Sequence, residues 1–332
     1  MHKNLVSFLD TNNIITKHQF GFRSGLSILL ALNQLHNYIL RLNASGQYTC
    51  GIFRDFKKAF DTVNYKILLD KLNHHGIRGL ALDFSHHIER INSNLFLRME
   101  FSLIRCKSLV VCRKVRLLVL CYFYCILIIA PCLPFFSNIF ADDTALLISD
   151  TDPNNLEKKT NIELNSVLNW LQKNKLTLNL SETKTILFNN HNRPATLNIN
   201  CNIVPSEQVN STKYLGTITD SNLTWKEQIA SVEKKVAQGC HALFKLQPII
   251  DIKILREVYF SLIYPHLQYA ILTWGKVPET YLTYLKVLHN RSVRCVTKNN
   301  LTTTSSKKIF NTTIYTIHRT KTLEQHYQRH KK

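Results

Sequence analysis

Gly51-Ile-Phe-Arg-Asp55-Phe-Lys-Lys-Ala-Phe60-Asp61 and Ile139-Phe-Ala-Asp142-Asp143-Thr-Ala-Leu-Leu147 are the two stretches on which the reading turns. Each sets carboxylate at the end of a short apolar run of strand type. Aspartate is disfavoured inside a strand, and neighbouring carboxylates repel unless a cation lies between them. Three carboxylates drawn from the two stretches, Asp55, Asp142 and Asp143, would hold two divalent ions. Hard oxygen ligands suit Mg²⁺, with Mn²⁺ as a substitute. Such a pair activates a 3′-hydroxyl and stabilises a leaving pyrophosphate. The plain alternative is a polar hairpin turn at Asp142-Asp143 and an exposed strand end at Asp55. An Asp-Asp pair taken alone reads as that turn, so the surrounding sequence has to decide.

Outward from these stretches the pattern is mixed. Leu29, Leu32, Leu35 and Ile39 fall at helical spacing and predict a helix over 26–40. Residues 48–53 read as a strand, 64–73 as a helix stopped near Gly76, and 80–91 as a further helix. Apolar residues on both sides of the Asp-Asp pair make 139–148 a hairpin. Asp152 and Pro153 are an N-cap and first-turn pair. The helix they open carries Leu156, Leu164, Val167, Leu168 and Leu171 on one face. Strands are expected at 183–188 and 214–219, and basic helices from 227 onward. The His- and Lys-rich tail is polar.

Composition narrows the partners. The 332 residues carry 42 Lys and Arg against 22 Asp and Glu, a formal charge of +20. That excess suits a polyanion, because each phosphate neutralised releases counterions. A mean hydropathy of −0.10 argues against a multi-span membrane protein. Nine cysteines are present, with Cys106, Cys112, Cys121, Cys125 and Cys132 in one window. No secretory leader precedes them and no CxxC pair occurs, so neither a disulfide framework nor a zinc ribbon is expected. The expected compartment is nucleus or cytoplasm. Residues 117–136 are uncharged and long enough to span a bilayer in principle, but Pro131 and Pro134 break the pattern. No true membrane span is expected.

The motifs, in order, resemble those of reverse transcriptases of non-LTR, LINE-type retrotransposons. His18-Gln-Phe-Gly-Phe-Arg-Ser-Gly-Leu-Ser27 is similar to their fingers segment. Phe53-Arg-Asp-Phe-Lys-Lys-Ala-Phe-Asp-Thr-Val63 looks like the first catalytic motif and Phe140-Ala-Asp-Asp143 like the third. Asn174-Lys-Leu-Thr-Leu-Asn179 with Lys184-Thr-Ile-Leu-Phe188 is similar to the next. Lys213-Tyr-Leu-Gly216 with Leu223-Thr-Trp225 looks like the primer grip. Tyr259–Tyr269 with Trp274-Gly275 resembles the thumb.

The resemblance implies an α+β right-hand polymerase: partial fingers over 1–45, a palm with a small antiparallel sheet over 46–225, a helical thumb over 226–300 and a basic tail over 301–332. It implies an RNA-directed DNA polymerase acting on an RNA template, a DNA primer and dNTPs. Asp55, Asp142 and Asp143 become the metal ligands, while Asp61 reads as structural. Phe60 stands where the family keeps an aromatic against the sugar 2′ position; an ordinary core aromatic is the alternative. Lys184 is the candidate to protonate the leaving pyrophosphate, with a solvated lysine as the alternative. Arg23 is placed near triphosphate or template. Tyr214, Leu215 and Gly216, with Lys234 and Lys235, are expected on nucleic acid. Lys245, Arg291 and Arg294 add basic charge to the thumb. A catalytically inactive nucleic-acid-binding relic is the other reading.

The family's Gly-Val-Pro-Gln-Gly-Ser segment, which positions template and nucleotide, is absent. An anomalous insert at 110–138 stands there instead. Joining the third base of each codon to the first two of the next tests this region. Tyr122 after Cys121, Tyr124 after Phe123 and Cys125 after Tyr124 each force leucine. Across 110–128, synonymous codons exist that spell G-V-P-Q-G-S at the start and G-P-L-L-F-L-L-Y-I-N at the end. A frameshift near Val110, reversed near Ile129, is therefore expected, and with it little or no catalytic activity.

Overall fold

The computed structural model describes residues 7–9, 11–12, 14, 16–21, 23, 25–54, 64–76, 136–140, 143–176, 183–189, 196–201, 204–275 and 277–297. The helix expected at 80–91, the insert up to 135, its cysteine cluster and the tail from 301 lie outside the described residues. The chain divides into two units, Met1–Ala31 with Leu42–Val209 and Leu32–Arg41 with Asn210–Lys332.

The first unit is built on a five-stranded sheet. Its strands are β1 (Tyr48–Arg54), β2 (Phe136–Phe140), β3 (Asp143–Asp150) and β4 (Lys184–Phe188). A two-stranded ladder of β5 (Asn200–Cys201) and β6 (Val204–Pro205) precedes the fifth, β7 (Glu207–Gln208). The spatial order is β2-β3-β1-β4-β7. All pairs are antiparallel except β4 with β7. Helix α1 (Ile28–Ala44) precedes β1, α2 (Tyr65–His74) follows it, and α3 (Pro153–Lys173) joins β3 to β4. Among the described elements, the succession β1-α2-β2-β3-α3-β4 with the order 2-3-1-4 is the split β-α-β arrangement. The fold is thus α+β.

Local chemistry accounts for these elements. β1 is the central strand, and all seven of its residues are buried, which is why Tyr-Thr-Cys-Gly-Ile-Phe-Arg shows no polar alternation. A Cβ on Gly51 would stand 2.7 Å from Phe188 Cε2, so the sheet closes over a position that has no side chain. Asp152 caps α3 by accepting from Asn155 N–H at 3.0 Å, with Pro153 in the first turn. Leu156, Leu164, Val167, Leu168 and Leu171 form its buried stripe, as the spacing predicts, and Thr160 joins them. Asn64 caps α2 through Ile67 N–H at 3.2 Å, and Gly76 beyond it has φ +85°. The sheet also gains a short parallel piece at its β2 edge. Phe20 N–H donates to Ile139 O at 2.8 Å and Ile139 N–H to His18 O at 3.0 Å, with Gln19 bridging Ile139.

The second unit is mainly helical. It holds Leu32–Arg41 of α1, the hairpin β8 (Ser211–Tyr214) with β9 (Thr217–Asp220), and α4 (Lys226–Leu246). Next come α5 (Ile252–Leu262), α6 (Tyr264–Gln268), α7 (Ile271–Trp274) and α8 (Glu279–Thr297). Helix α4 is the hub, packed by α5, α6, α8 and β9. Trp274, Tyr259, Leu243, Val236 and Leu285 are fully buried.

One strand expectation needs correction here. Residues 214–219 do not form a single strand. Leu215 and Gly216 both have positive φ, +44° and +76°, and they turn the chain between Tyr214 and Thr217, which pair. Two-residue hairpin turns of type I′ require this of both central positions. Among the described residues, no helix is long and apolar enough to cross a membrane.

Candidate active site at the strand ends

Two strand ends carry the acidic stretches, and the sheet sets them side by side. β1 ends at Arg54, the residue before Asp55, and Arg54 lies across from Thr144, the residue after Asp143. Asp143 opens β3 opposite Phe140. That pairing leaves two residues, Ala141 and Asp142, to join the strands. Asp55, Phe60 and Asp142 themselves lie outside the described residues, and Asp143 is half-buried.

Strand alternation sorts the neighbours by face. Phe53 pairs with both Ala145 and Lys184, so Phe140, Asp143, Phe53 and Lys184 share one face, with β1 between the acid and the lysine. On that face the Lys184 ammonium pairs with Glu207 of β7. Its sequence expectation, a donor to pyrophosphate, did not foresee this partner. Nothing in the spacing signals it, because a two-residue parallel strand supplies it. The other face carries Gln19, Ile139, Thr144 and Arg54 in one row across three strands and the bridge. Arg54 is only 4% exposed and Gln19 only 1%. Arg23 is half-buried, and its Nη1 donates to Thr16 O at 3.3 Å.

In the second unit, the side chains of Tyr214 and Leu215 are buried, while Lys213 and Gly216 are exposed. The Tyr269 hydroxyl donates to Leu215 O at 2.6 Å, and a Cβ on Gly216 would come within 3.0 Å of that hydroxyl oxygen. What the turn offers outward is therefore the Lys213 ammonium and glycine backbone. Behind it, Asp220 accepts from Thr224 N–H at 2.7 Å and Trp225 N–H at 2.9 Å, and the Gln228 side chain accepts from Ile218 N–H at 2.9 Å. Lys234, Lys235, Lys245, Arg291 and Arg294 are all exposed.

Sequence reading missed His36, a buried group whose Nε2 lies 3.2 Å from Thr219 Oγ1 and whose ring meets Trp225 edge-on at 4.7 Å. Burial pushes its pKa down to about 4. His289, 2.9 Å from the Tyr259 hydroxyl, is likewise lowered to about 4 by burial. A lone histidine on an apolar helix face gives no sequence signal of its partner. Among the described residues, no group of three His, Cys, Asp or Glu is placed to hold a metal ion.

No protein-family profile matches the chain. Over 312 residues, 88% of its length, it is 25% identical to the probable RNA-directed DNA polymerase from transposon BS of Drosophila melanogaster. Over 311 residues, again 88%, it is 21% identical to the probable RNA-directed DNA polymerase from transposon X-element of the same organism. It covers 34% and 33% of those proteins, so it spans about a third of their length. Among solved structures, telomerase from Candida albicans in complex with the TWJ fragment of telomeric RNA overlaps 93% of this chain and 52% of its own. The identity is 11% and the TM-score 0.33. Apo telomerase from Candida tropicalis overlaps 99% and 58%, with 12% identity and a TM-score of 0.39. Along 88% of its length the chain is thus similar to about a third of each of two transposon RNA-directed DNA polymerases.

Proposed function

We propose that the chain is an RNA-directed DNA polymerase by descent whose template and nucleotide platform has been lost to a frameshift over about 110–128. In this reading the first unit carries the palm, residues 18–27 are what remains of the fingers, and the helices of the second unit form the thumb. RNA is the template, DNA the primer and dNTP the substrate. The observation that carries the proposal is the register of β1 against β3, with Arg54 across from Thr144. It supports a site in which Asp55, Asp142 and Asp143 converge.

The donor set fits Mg²⁺ in kind, since three carboxylates supply hard oxygen ligands. Asp55, Asp142 and Asp143 would hold two such ions, which when bound supply charge neutralisation around the reacting phosphates. The chain's own side chains do the rest. Phe60 would sit against the sugar and exclude a 2′-hydroxyl by bulk. Lys184 would give a proton to the departing pyrophosphate, which requires it to leave Glu207. Arg23 would steady the triphosphate or the template, and the Leu215-Gly216 turn, with Lys213, would lie against the primer.

Primer extension on an RNA template with Mg²⁺ tests this in two arms. The chain as it stands should extend a primer little or not at all. A chain with Gly-Val-Pro-Gln-Gly-Ser and its following residues restored at 110–128 should extend it, and Asp143→Ala should abolish that extension. A folded, restored chain with no extension would sink the polymerase reading. Extension by the unrepaired chain, lost on Asp142→Ala, would sink the claim of impairment. The second reading, a binding relic, is favoured by the exposed Lys234, Lys235 and Lys245 on α4. It predicts RNA binding that weakens steeply with salt even where no extension occurs.

A further inference from the structure

Helix α8 has one face for the protein and one for something else. Leu282, Leu285, Leu288, Val293 and Val296 are buried in the bundle. Tyr284 and Val287 are each 57% exposed and Tyr281 37%, and Arg291 and Arg294 are exposed beyond them. The steps between these five positions are three, three, four and three residues, so they line one side of the helix. At 1.5 Å per residue the stripe is about 20 Å long. Lys226 adds a cation at its start, with Nζ 5.3 Å from the centre of the Tyr281 ring. Among the described residues, neither Arg291 nor Arg294 has an acidic partner. The lysine of this helix, Lys286, is already paired with Glu279.

Two tyrosine rings and a valine left open to water, followed by two exposed guanidinium groups, fit a ligand that is flat and apolar in places and anionic along its length. Unpaired nucleobases stack on exposed rings while phosphates meet the cations. A duplex hides its base faces and would have little use for the rings. We propose that this stripe binds a single strand of nucleic acid, with bases on Tyr281 and Tyr284 and phosphates on Arg291 and Arg294. The choice of nucleic acid as ligand rests on the proposed function; the site itself does not involve the acidic strand ends.

The experiment titrates the full chain into fluorescently labelled oligouridine and reads anisotropy, with oligothymidine and an RNA hairpin duplex as parallel arms. Tyr284→Ala should weaken oligouridine binding at least ~5-fold, the low end for one stacked base, while Tyr284→Phe binds like the parent. Arg291→Gln with Arg294→Gln should lower the slope of log affinity against log salt by about 1.4, at about 0.7 for each phosphate of a single strand. Circular dichroism should show each variant folded, since the residues changed are exposed. The proposal is overturned if the chain binds no single strand, if Tyr284→Ala binds as tightly as the parent, or if the duplex loses as much as the single strand. It is also overturned if polyglutamate, which has no bases, displaces oligouridine and loses as much affinity on Tyr284→Ala. A restored chain that fails to extend a primer yet keeps the Tyr284 effect would separate the loss of the polymerase reading from the survival of this one.

Discussion

The two units treat buried polar groups differently. In the second, most buried polar side chains have a partner, as Tyr259 with His289, Gln228 with Ile218 N–H, Thr219 with His36 Nε2 and Ser292 with His289 O, and His36 Nδ1 is the one exception among the described residues. In the first, Gln19, Thr49, Thr144 and Thr160 bury polar side-chain atoms with no hydrogen-bond partner among the described residues. A buried group left without a partner costs about 1–3 kcal/mol, and such misfits in a native fold call for a reason. Gln19 and Thr144 lie in the row that crosses the sheet beside the acidic strand ends. The helical unit is internally consistent. Two of the sheet unit's polar misfits, Gln19 and Thr144, thus fall beside the proposed site.

The largest expected effect is acid sensitivity of the second unit. His36 and His289 both have folded pKa values near 4, below the ordinary 6.5. The fold holds them neutral, and the unfolded chain binds more protons between those values. Their stabilising contribution is therefore complete above pH about 6.5 and falls as the pH drops toward 4, on the order of 3 kcal/mol for each histidine. Fluorescence of Trp225 and Trp274 in a Trp170→Phe background should report a transition in this window, and His289→Gln should flatten it. A transition unchanged by both His36→Gln and His289→Gln would remove the histidines as its cause.

A smaller effect separates the units at single hydroxyls. Tyr259→Phe strands His289 Nε2 in a buried site and should cost about 1–3 kcal/mol in denaturant unfolding. Tyr269→Phe frees the carbonyl of Leu215 and should cost about 1 kcal/mol. Smallest, and opposite in sign, is Thr160→Val. It removes a hydroxyl that has no partner among the described residues and should leave stability unchanged or raise it by up to about 1 kcal/mol. If Thr160→Val costs as much as Tyr259→Phe, the contrast between the units is wrong.

Much of the fold can be read from the residues because local signals agreed with the final packing. The Asp152-Pro153 start, the stripe from Leu156 to Leu171 and the hairpin around Asp142-Asp143 are short-range features. The turn at Leu215-Gly216 was hidden because Tyr214, Ile218 and Thr219 look like strand residues on both sides of it. Its signal was the glycine, which tolerates positive φ. The parallel pieces at Gln19 and Glu207 arise from distant chain segments, and no periodicity foretells them. Of the candidate site, the strand ends follow from the pattern, whereas the pairing of β1 with β3 that sets them side by side is long-range. Lys184's engagement with Glu207 and the burial of Tyr214 and Leu215 depend on tertiary neighbours that a single sequence does not reveal.

The short parallel pieces have one more effect. A bare outer strand offers its free amides and carbonyls to the outer strand of another molecule, which is how sheets recruit one another into aggregates. Here β2 is shielded by the bridge at Gln19 and β4 by the two residues of β7. A chain that is to stay in solution must not nucleate fibres, and these few backbone bonds at the rims work toward that.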